Sequence, residues 1–219
     1  MGRTFCGQCR QPSCEVAKRR EPGYSDPHFE NDESDMTEIE HPQIYLITPP
    51  VLELSSFPDL LAAVLDATEV ACVRLALAST DEDQISRAAD ALRAVTHERD
   101  IALVIDTHVQ LVERLGLDGV HVLDGARSVR AMRKALGADA IVGAFCGQTR
   151  HDGMNAGEAG ADYVSFGPVG ASALGDGRVA DVDLFSWWSE MVEVPVVAEG
   201  GLTDDLIRQI APFTDFFGI

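Results

Sequence analysis

The stretch PVVAEGGLTDDLIRQIAPFTDFFGI, residues 195–219, contains every step of the pattern that decides the fold. The apolar run at 195–198 has the length of a buried strand, and the glycine pair Gly200-Gly201 marks a turn. Thr203 is a good helix N-cap, and residues 203–211 have the apolar spacing of a helix. A second apolar run follows at 215–219. The stretch therefore predicts a strand, a turn, a helix and another strand in direct succession.

The same succession extends back along the chain to residue 42. Near-continuous apolar strands indicate a parallel sheet that is covered on both faces. Eight strands, with no Gly-x-Gly-x-x-Gly after the first, favour a closed (βα)8 TIM barrel over an open doubly wound sheet. The predicted strands are 43–47, 71–76, 101–105, 119–123, 140–144, 163–166, 195–198 and 215–219, and the seven predicted helices are 58–68, 80–97, 108–115, 126–136, a small-residue helix ending at 160, 183–192 and 203–211.

The domain organisation follows from where this pattern begins. Residues 1–41 hold a basic block and then an acidic one, with too few apolar residues for a core, so we predict a disordered N-terminal extension. The TIM barrel is predicted to span residues 42–219, which is short for a fold that typically takes about 200–250 residues. The last helix, which would cover strands 8 and 1, is missing from the pattern. We therefore expect either a truncated barrel or a partner chain over the gap, as in a homo-oligomer.

The charge balance excludes some classes of partner. The formal net charge is −19, with 17 Lys and Arg against 36 Asp and Glu. Such a surface repels a phosphate backbone, so no nucleic-acid partner is expected. Phosphorylated small molecules stay compatible, because one arginine or a helix N-terminus acts locally. No apolar run approaches the roughly 18 residues of a membrane helix, and the start has no signal-peptide pattern, so we expect a cytoplasmic protein without a membrane partner.

Barrel enzymes carry their catalytic groups at the carboxyl ends of the strands, which selects three candidate catalytic residues here. Arg74, a charge within an apolar strand, would bind a phosphate in bidentate fashion or form an ion pair with Asp106 on the next strand. Asp106 would bind a metal ion or a substrate amine, or would cap the helix that follows. His121 alternates with valines, so it is either a general acid–base or a buried histidine with a satisfied partner.

Glycines at two strand ends are candidates for phosphate binding. Gly200-Gly201 follows strand 7, where backbone N–H groups and the start of the next helix can approach a phosphate. The alternative for this pair is a tight turn from strand to helix. Gly167, at the end of strand 6, completes the predicted phosphate site together with Arg74.

Four segments together resemble the thiamine phosphate synthase family. They are QIYLIT (43–48), LDGVHV (117–122), AGADYVSFGPV (159–169) and PVVAEGGL (195–202), and the last is similar to the family's PVVAIGGI. The resemblance implies a (βα)8 barrel of thiamine biosynthesis, a transferase that couples a pyrimidine methyl diphosphate to a thiazole phosphate. Pyrophosphate is released and Mg²⁺ assists. Both phosphorylated precursors are then the expected partners.

Several residues that this resemblance assigns to metal and diphosphate binding are replaced. Of the Gln-x-Arg-x-Lys motif expected on strand 2, only Arg74 is present, and the two metal-binding Asp positions fall on Thr107 and Ala126. Asp106 and Asp124 lie near those positions and are the candidate Mg²⁺ ligands. The serine expected after strand 5 falls on Phe145, and the Thr-x-Thr-Lys motif after strand 6 is absent from residues 170–175.

Two other interpretations therefore stand beside the synthase. One is a thiazole tautomerase, a relative with the same barrel that shifts a proton without Mg²⁺, using His121 or His151 in place of the histidine that falls on Gly147. The other is a non-catalytic barrel that binds a phosphorylated thiamine precursor through Arg74 and the glycine pair.

Overall fold

The computed structural model describes residues 41–171 and 177–219. Eight parallel strands form one closed barrel in chain order. The register Gln43↔Phe216 and Tyr45↔Gly218 joins the last strand to the first and closes the ring. The strands are β1 (Gln43–Ile47), β2 (Val70–Leu75), β3 (Ala102–Asp106), β4 (Gly119–Val122), β5 (Ile141–Phe145), β6 (Tyr163–Phe166), β7 (Val196–Glu199) and β8 (Phe216–Gly218).

Seven α-helices connect consecutive strands within the described residues. Side-chain caps explain several of their starts: Asp81 accepts hydrogen bonds from the backbone N–H groups of Asp83 and Gln84, and Thr203 accepts one from Leu206. The helices are α1 (Phe57–Ala67), α2 (Glu82–His97), α3 (Val109–Leu115), α4 (Ala126–Leu136), α5 (Arg150–Glu158), α6 (Val182–Met191) and α7 (Asp204–Ile210), and a 3₁₀ turn (Ala211–Phe213) precedes β8.

The apolar side chains form two separate cores, as the alternation of side chains along a strand requires. The larger core lies between the barrel and the helices. Trp188 on α6 is typical of it, since its ring contacts the edge of Phe166 on β6 with the centroids 5.0 Å apart. The smaller core fills the barrel interior with Tyr45, Val104, Tyr163 and Val197, which come from four different strands. The interior is therefore packed by side chains, and any ligand has to bind at its open end.

The predicted (βα)8 barrel is confirmed, and every predicted element is present with bounds shifted by a few residues at most. Residues 1–40 and 172–176 lie outside the described residues, so nearly all of the predicted N-terminal extension does as well. The expected partner chain or homo-oligomer over β8 and β1 stays a prediction. No helix in the described ranges is both long enough and apolar enough to cross a membrane.

Candidate active site at the carboxyl ends of the strands

Arg74 lies near the carboxyl end of β2 and points into the barrel, with only 8% of its side chain exposed. Its Nε donates to Asp106 Oδ1 at 2.7 Å and its Nη2 to Asp106 Oδ2 at 3.3 Å, which ties β2 to its neighbour β3. Its Nη1 donates to Glu199 Oε2 at 2.9 Å, from the end of β7. The ion pair with Asp106 that the sequence offered as one alternative is confirmed. The helix-cap alternative for Asp106 is wrong, because α3 starts without a side-chain cap and Arg74 holds that carboxylate.

We call Arg74, Asp106 and Glu199 the mouth cluster. Burial raises the pKa of both carboxyl groups, although Arg74 acts to lower it, and the charge of Asp106 raises the pKa of Glu199 further. Burial alone would lower the pKa of Arg74, but the two carboxylates outweigh it and the pKa is raised. Arg74 therefore stays cationic, and the cluster has a formal charge of −1 when both carboxylates are ionised.

A chain of aromatic polar groups lies inside the barrel. Tyr45 Oη is 2.5 Å from Tyr163 Oη, which is 2.9 Å from Nδ1 of His121. Gly143 makes room for this chain, since a Cβ at that position would lie 2.0 Å from Tyr163 Cζ. Two buried polar atoms at this level have no hydrogen-bond partner among the described residues, His121 Nε2 and Ser165 Oγ. His121 thus has a satisfied Nδ1 and a free Nε2, which combines parts of its two predicted roles.

We expect the His121 imidazole in the folded protein to take up a proton only below the ordinary pH range of histidine. Burial first, and then the charge of Arg74, lower its pKa well below the ordinary value. Below about pH 6.5 the unfolded chain takes up a proton at this histidine and the folded chain does not. The free energy of unfolding therefore falls by about 1.4 kcal/mol for each pH unit below that value, and above it the histidine has no such effect. Histidine NMR between about pH 8 and pH 5.5 checks this, with His121→Gln to assign the signal; a titration midpoint at or above the ordinary value would contradict it.

The predicted phosphate-binding glycines pack tightly against neighbouring backbone. Gly200 and Gly201 have φ of +80° and +73°, which favours glycine. A Cβ on Gly201 would lie 2.8 Å from the carbonyl of Gly170, and a Cβ on Gly167 would lie 2.3 Å from the carbonyl oxygen of Glu199. The tight-turn alternative therefore accounts for the glycine pair, and phosphate binding by these glycines stays a prediction.

Asp106 and Asp124, the two candidate Mg²⁺ ligands, each accept hydrogen bonds from another side chain. Both oxygens of Asp106 accept hydrogen bonds from Arg74, and exposed Asp124 accepts one from Ser128 Oγ at 2.7 Å in the first turn of α4. No group of three or more His, Cys, Asp or Glu side chains with metal-binding geometry occurs in 41–171 or 177–219. Mg²⁺ usually binds through one or two carboxylates together with water and substrate phosphates, so Mg²⁺ binding by Asp106 and Asp124 stays a prediction.

Three residues of the site have no role in the sequence analysis. Glu199 could have been found by the signal that pointed to Asp106, a carboxylate at the end of an apolar strand. Tyr45 and Tyr163 carry a weaker signal, a hydroxyl at an inward position of a strand. The structure does not bring His151 to the mouth cluster: it is exposed on α5, with its Nε2 3.1 Å from Asn155 Nδ2.

Comparison with known proteins agrees with this architecture. A family model described as thiamine monophosphate synthase matches residues 44–214. The chain is 44% identical to the thiamine-phosphate synthase of Rhodospirillum centenum over 74% of this chain and 78% of that protein. It is 38% identical to the thiamine-phosphate synthase of Erythrobacter litoralis, over 78% of this chain and 82% of that protein.

A solved structure shows the same fold. The thiamine phosphate pyrophosphorylase from Pyrococcus furiosus superimposes with a TM-score of 0.68 at 22% identity, covering 81% of this chain and 84% of that one. The match of the family model over most of the barrel and the identity to the two curated relatives lead to one conclusion. The chain belongs to the thiamine monophosphate synthase family.

Proposed function

We propose that this chain acts in thiamine biosynthesis as a thiamine-phosphate synthase, coupling a pyrimidine methyl diphosphate to a thiazole phosphate. In this reaction the bond between the pyrimidine methylene carbon and the diphosphate breaks, the diphosphate leaves with the electron pair, and the thiazole forms the new bond to that carbon. The observation that carries the proposal is the inward-pointing Arg74 at the carboxyl end of β2, in a barrel whose relatives are named for this activity.

The mouth cluster can stabilise the positive charge that develops during the reaction. As the diphosphate departs, positive charge grows on the pyrimidine methylene, and a cluster of formal charge −1 stabilises such a cation through space. Neutral His121 and the two tyrosines exclude bulk water below it, which lowers the local dielectric and strengthens the interaction. The chain's own described residues thus favour the cationic partner of the reaction.

The negative charge of the leaving diphosphate has fewer partners among the described residues. The lysines of the family's strand 2 and strand 6 motifs are absent here, and no step is assigned to a metal ion. Two of the five N–H donors of Arg74 remain beyond those given to Asp106 and Glu199. Loss of one main charge-stabilising group costs about 10²–10³ in rate. We therefore expect turnover at least about 100-fold slower than that of a relative assayed in parallel.

The test is an assay of the full chain for pyrophosphate release and thiamine monophosphate formation, with both substrates, in Mg²⁺ and in EDTA. Product that requires both substrates supports the proposal, and a rate that is equal in Mg²⁺ and EDTA supports coupling without the metal ion. Arg74→Ala serves as the negative control. The synthase activity would be overturned if no product formed in either Mg²⁺ or EDTA while calorimetry showed that the protein binds at least one of the substrates.

Binding without turnover is the second candidate, and one observation favours it. Both carboxylates of the mouth cluster are bound to Arg74, the guanidinium that a diphosphate would need. A barrel of this kind would keep affinity for thiazole phosphate and release no pyrophosphate. Calorimetry with thiazole phosphate alone, beside the assay above, separates the two candidates.

A further inference from the structure

Glu199 occupies a space that the surrounding backbone leaves open for it. Its side chain is 13% exposed at the end of β7, between the ends of β6 and β8. A Cβ on Gly218 of β8 would lie 2.8 Å from the Cβ of Glu199, and a Cβ on Gly167 would lie 3.1 Å from its Cγ. Larger residues at these two glycines would crowd the Cβ and Cγ atoms of Glu199. The glycines on either side therefore admit Glu199 to the mouth cluster.

The Glu199 carboxylate is not required to neutralise the charge of Arg74. Asp106 alone pairs with the guanidinium in bidentate fashion and neutralises its charge. Glu199 takes a further N–H group, at Nη1, and turns a neutral pair into a cluster of formal charge −1. An approaching phosphate meets an arginine that is already bound to two carboxylates.

We propose that Glu199 is an internal competitor for the phosphate groups of the ligand: its carboxylate holds the Nη1 face of Arg74, so a phosphate or diphosphate binds only by displacing it. Glu199 thereby sets how tightly the mouth of the barrel takes an anion and favours ligands with less negative charge. The inference rests on the proposed function, because it concerns the phosphorylated substrates of that same site.

The test measures the affinity for inorganic pyrophosphate and inorganic phosphate by calorimetry. Glu199→Gln keeps the shape and removes the charge, and we expect it to bind pyrophosphate at least about tenfold more tightly than the wild type, because a charged competitor is lost. Glu190→Gln is the matched control, since Glu190 is exposed on α6 and its change removes the same charge far from the cluster. Its affinity is expected to stay at the wild-type value.

Two further variants keep the test decisive. Glu199→Ala covers the case in which the glutamine variant does not fold, and the same gain is expected from it. The double variant R74A/E199Q should lose the gain, since the anion then has no guanidinium to bind. An unchanged or weaker affinity in a folded Glu199 variant, or a gain that persists without Arg74, would overturn the inference.

The two proposals fail in different ways. If the wild type forms thiamine monophosphate but removing the Glu199 charge brings no gain in pyrophosphate affinity, only the inference about Glu199 is overturned. If the gain appears but neither the wild type nor E199Q forms product, the inference holds and the synthase activity is overturned.

Discussion

Replacing Arg74 by methionine should destabilise the barrel by about 3–5 kcal/mol at neutral pH. Methionine retains much of the volume, but it leaves the largely buried carboxylates of Asp106 and Glu199 without their cation. Two unpaired carboxylates in a site of low dielectric repel each other and lack the solvation that they have in the unfolded chain. Urea unfolding of the wild type and the variant measures the difference.

The pH dependence of this loss identifies its cause. Without Arg74 the folded-state pKa of both carboxyl groups rises further, so the native state takes up protons before the unfolded state does. The loss is therefore full above those pKa values and shrinks as the pH falls through them toward the ordinary values of 3.8 and 4.5.

A triple variant, R74M/D106N/E199Q, is the control for this prediction, because it removes all three charges together. It should recover most of the stability, since a neutral cluster has no uncompensated charge. A loss that stays constant from about pH 7.5 to about pH 5, or that persists in the triple variant, would show that packing of the arginine stem is responsible instead.

Replacing Gly119 by alanine should cost about 3 kcal/mol or more in the free energy of unfolding. Gly119 begins β4, and a Cβ there would lie 2.0 Å from the carbonyl oxygen of Ile141 and 2.7 Å from its Cβ. Both strands belong to the closed ring, so neither can move away without disturbing its other neighbour. Thermal and urea unfolding measure the cost.

The control for this variant is Gly157→Ala on α5. A Cβ at Gly157 meets only Val194 Cγ2, at 3.3 Å, and alanine is the better helix former by about 1 kcal/mol. This variant should therefore be neutral or slightly more stable than the wild type. If Gly119→Ala were as well tolerated as Gly157→Ala, the close approach of β4 and β5 would be contradicted.

The order of elements could be predicted from the sequence because it depends on local signals. Apolar runs, caps such as Thr203 and turn glycines such as Gly116 each act within a few residues, and together they gave eight strands alternating with seven helices. Closure of the barrel followed from counting these units. The same reasoning placed Arg74, Asp106 and His121 at strand ends or inward positions, since the fold brings the carboxyl ends of all strands to one edge.

The sequence alone determined the fold class and two of the charged groups at the open end of the barrel, Arg74 and Asp106; Glu199 was found only in the structure. Only the tertiary structure decided which of them meet: Arg74 on β2 reaches Glu199 on β7, 125 residues further along the chain, and His121 on β4 reaches Tyr163 on β6. These contacts cross the interior of the ring, and their geometry depends on strand register, on the room left by Gly143 and Gly218, and on side-chain direction. None of these is a local property, so the physical character of the site, an arginine held by two carboxylates, emerges only when the barrel closes.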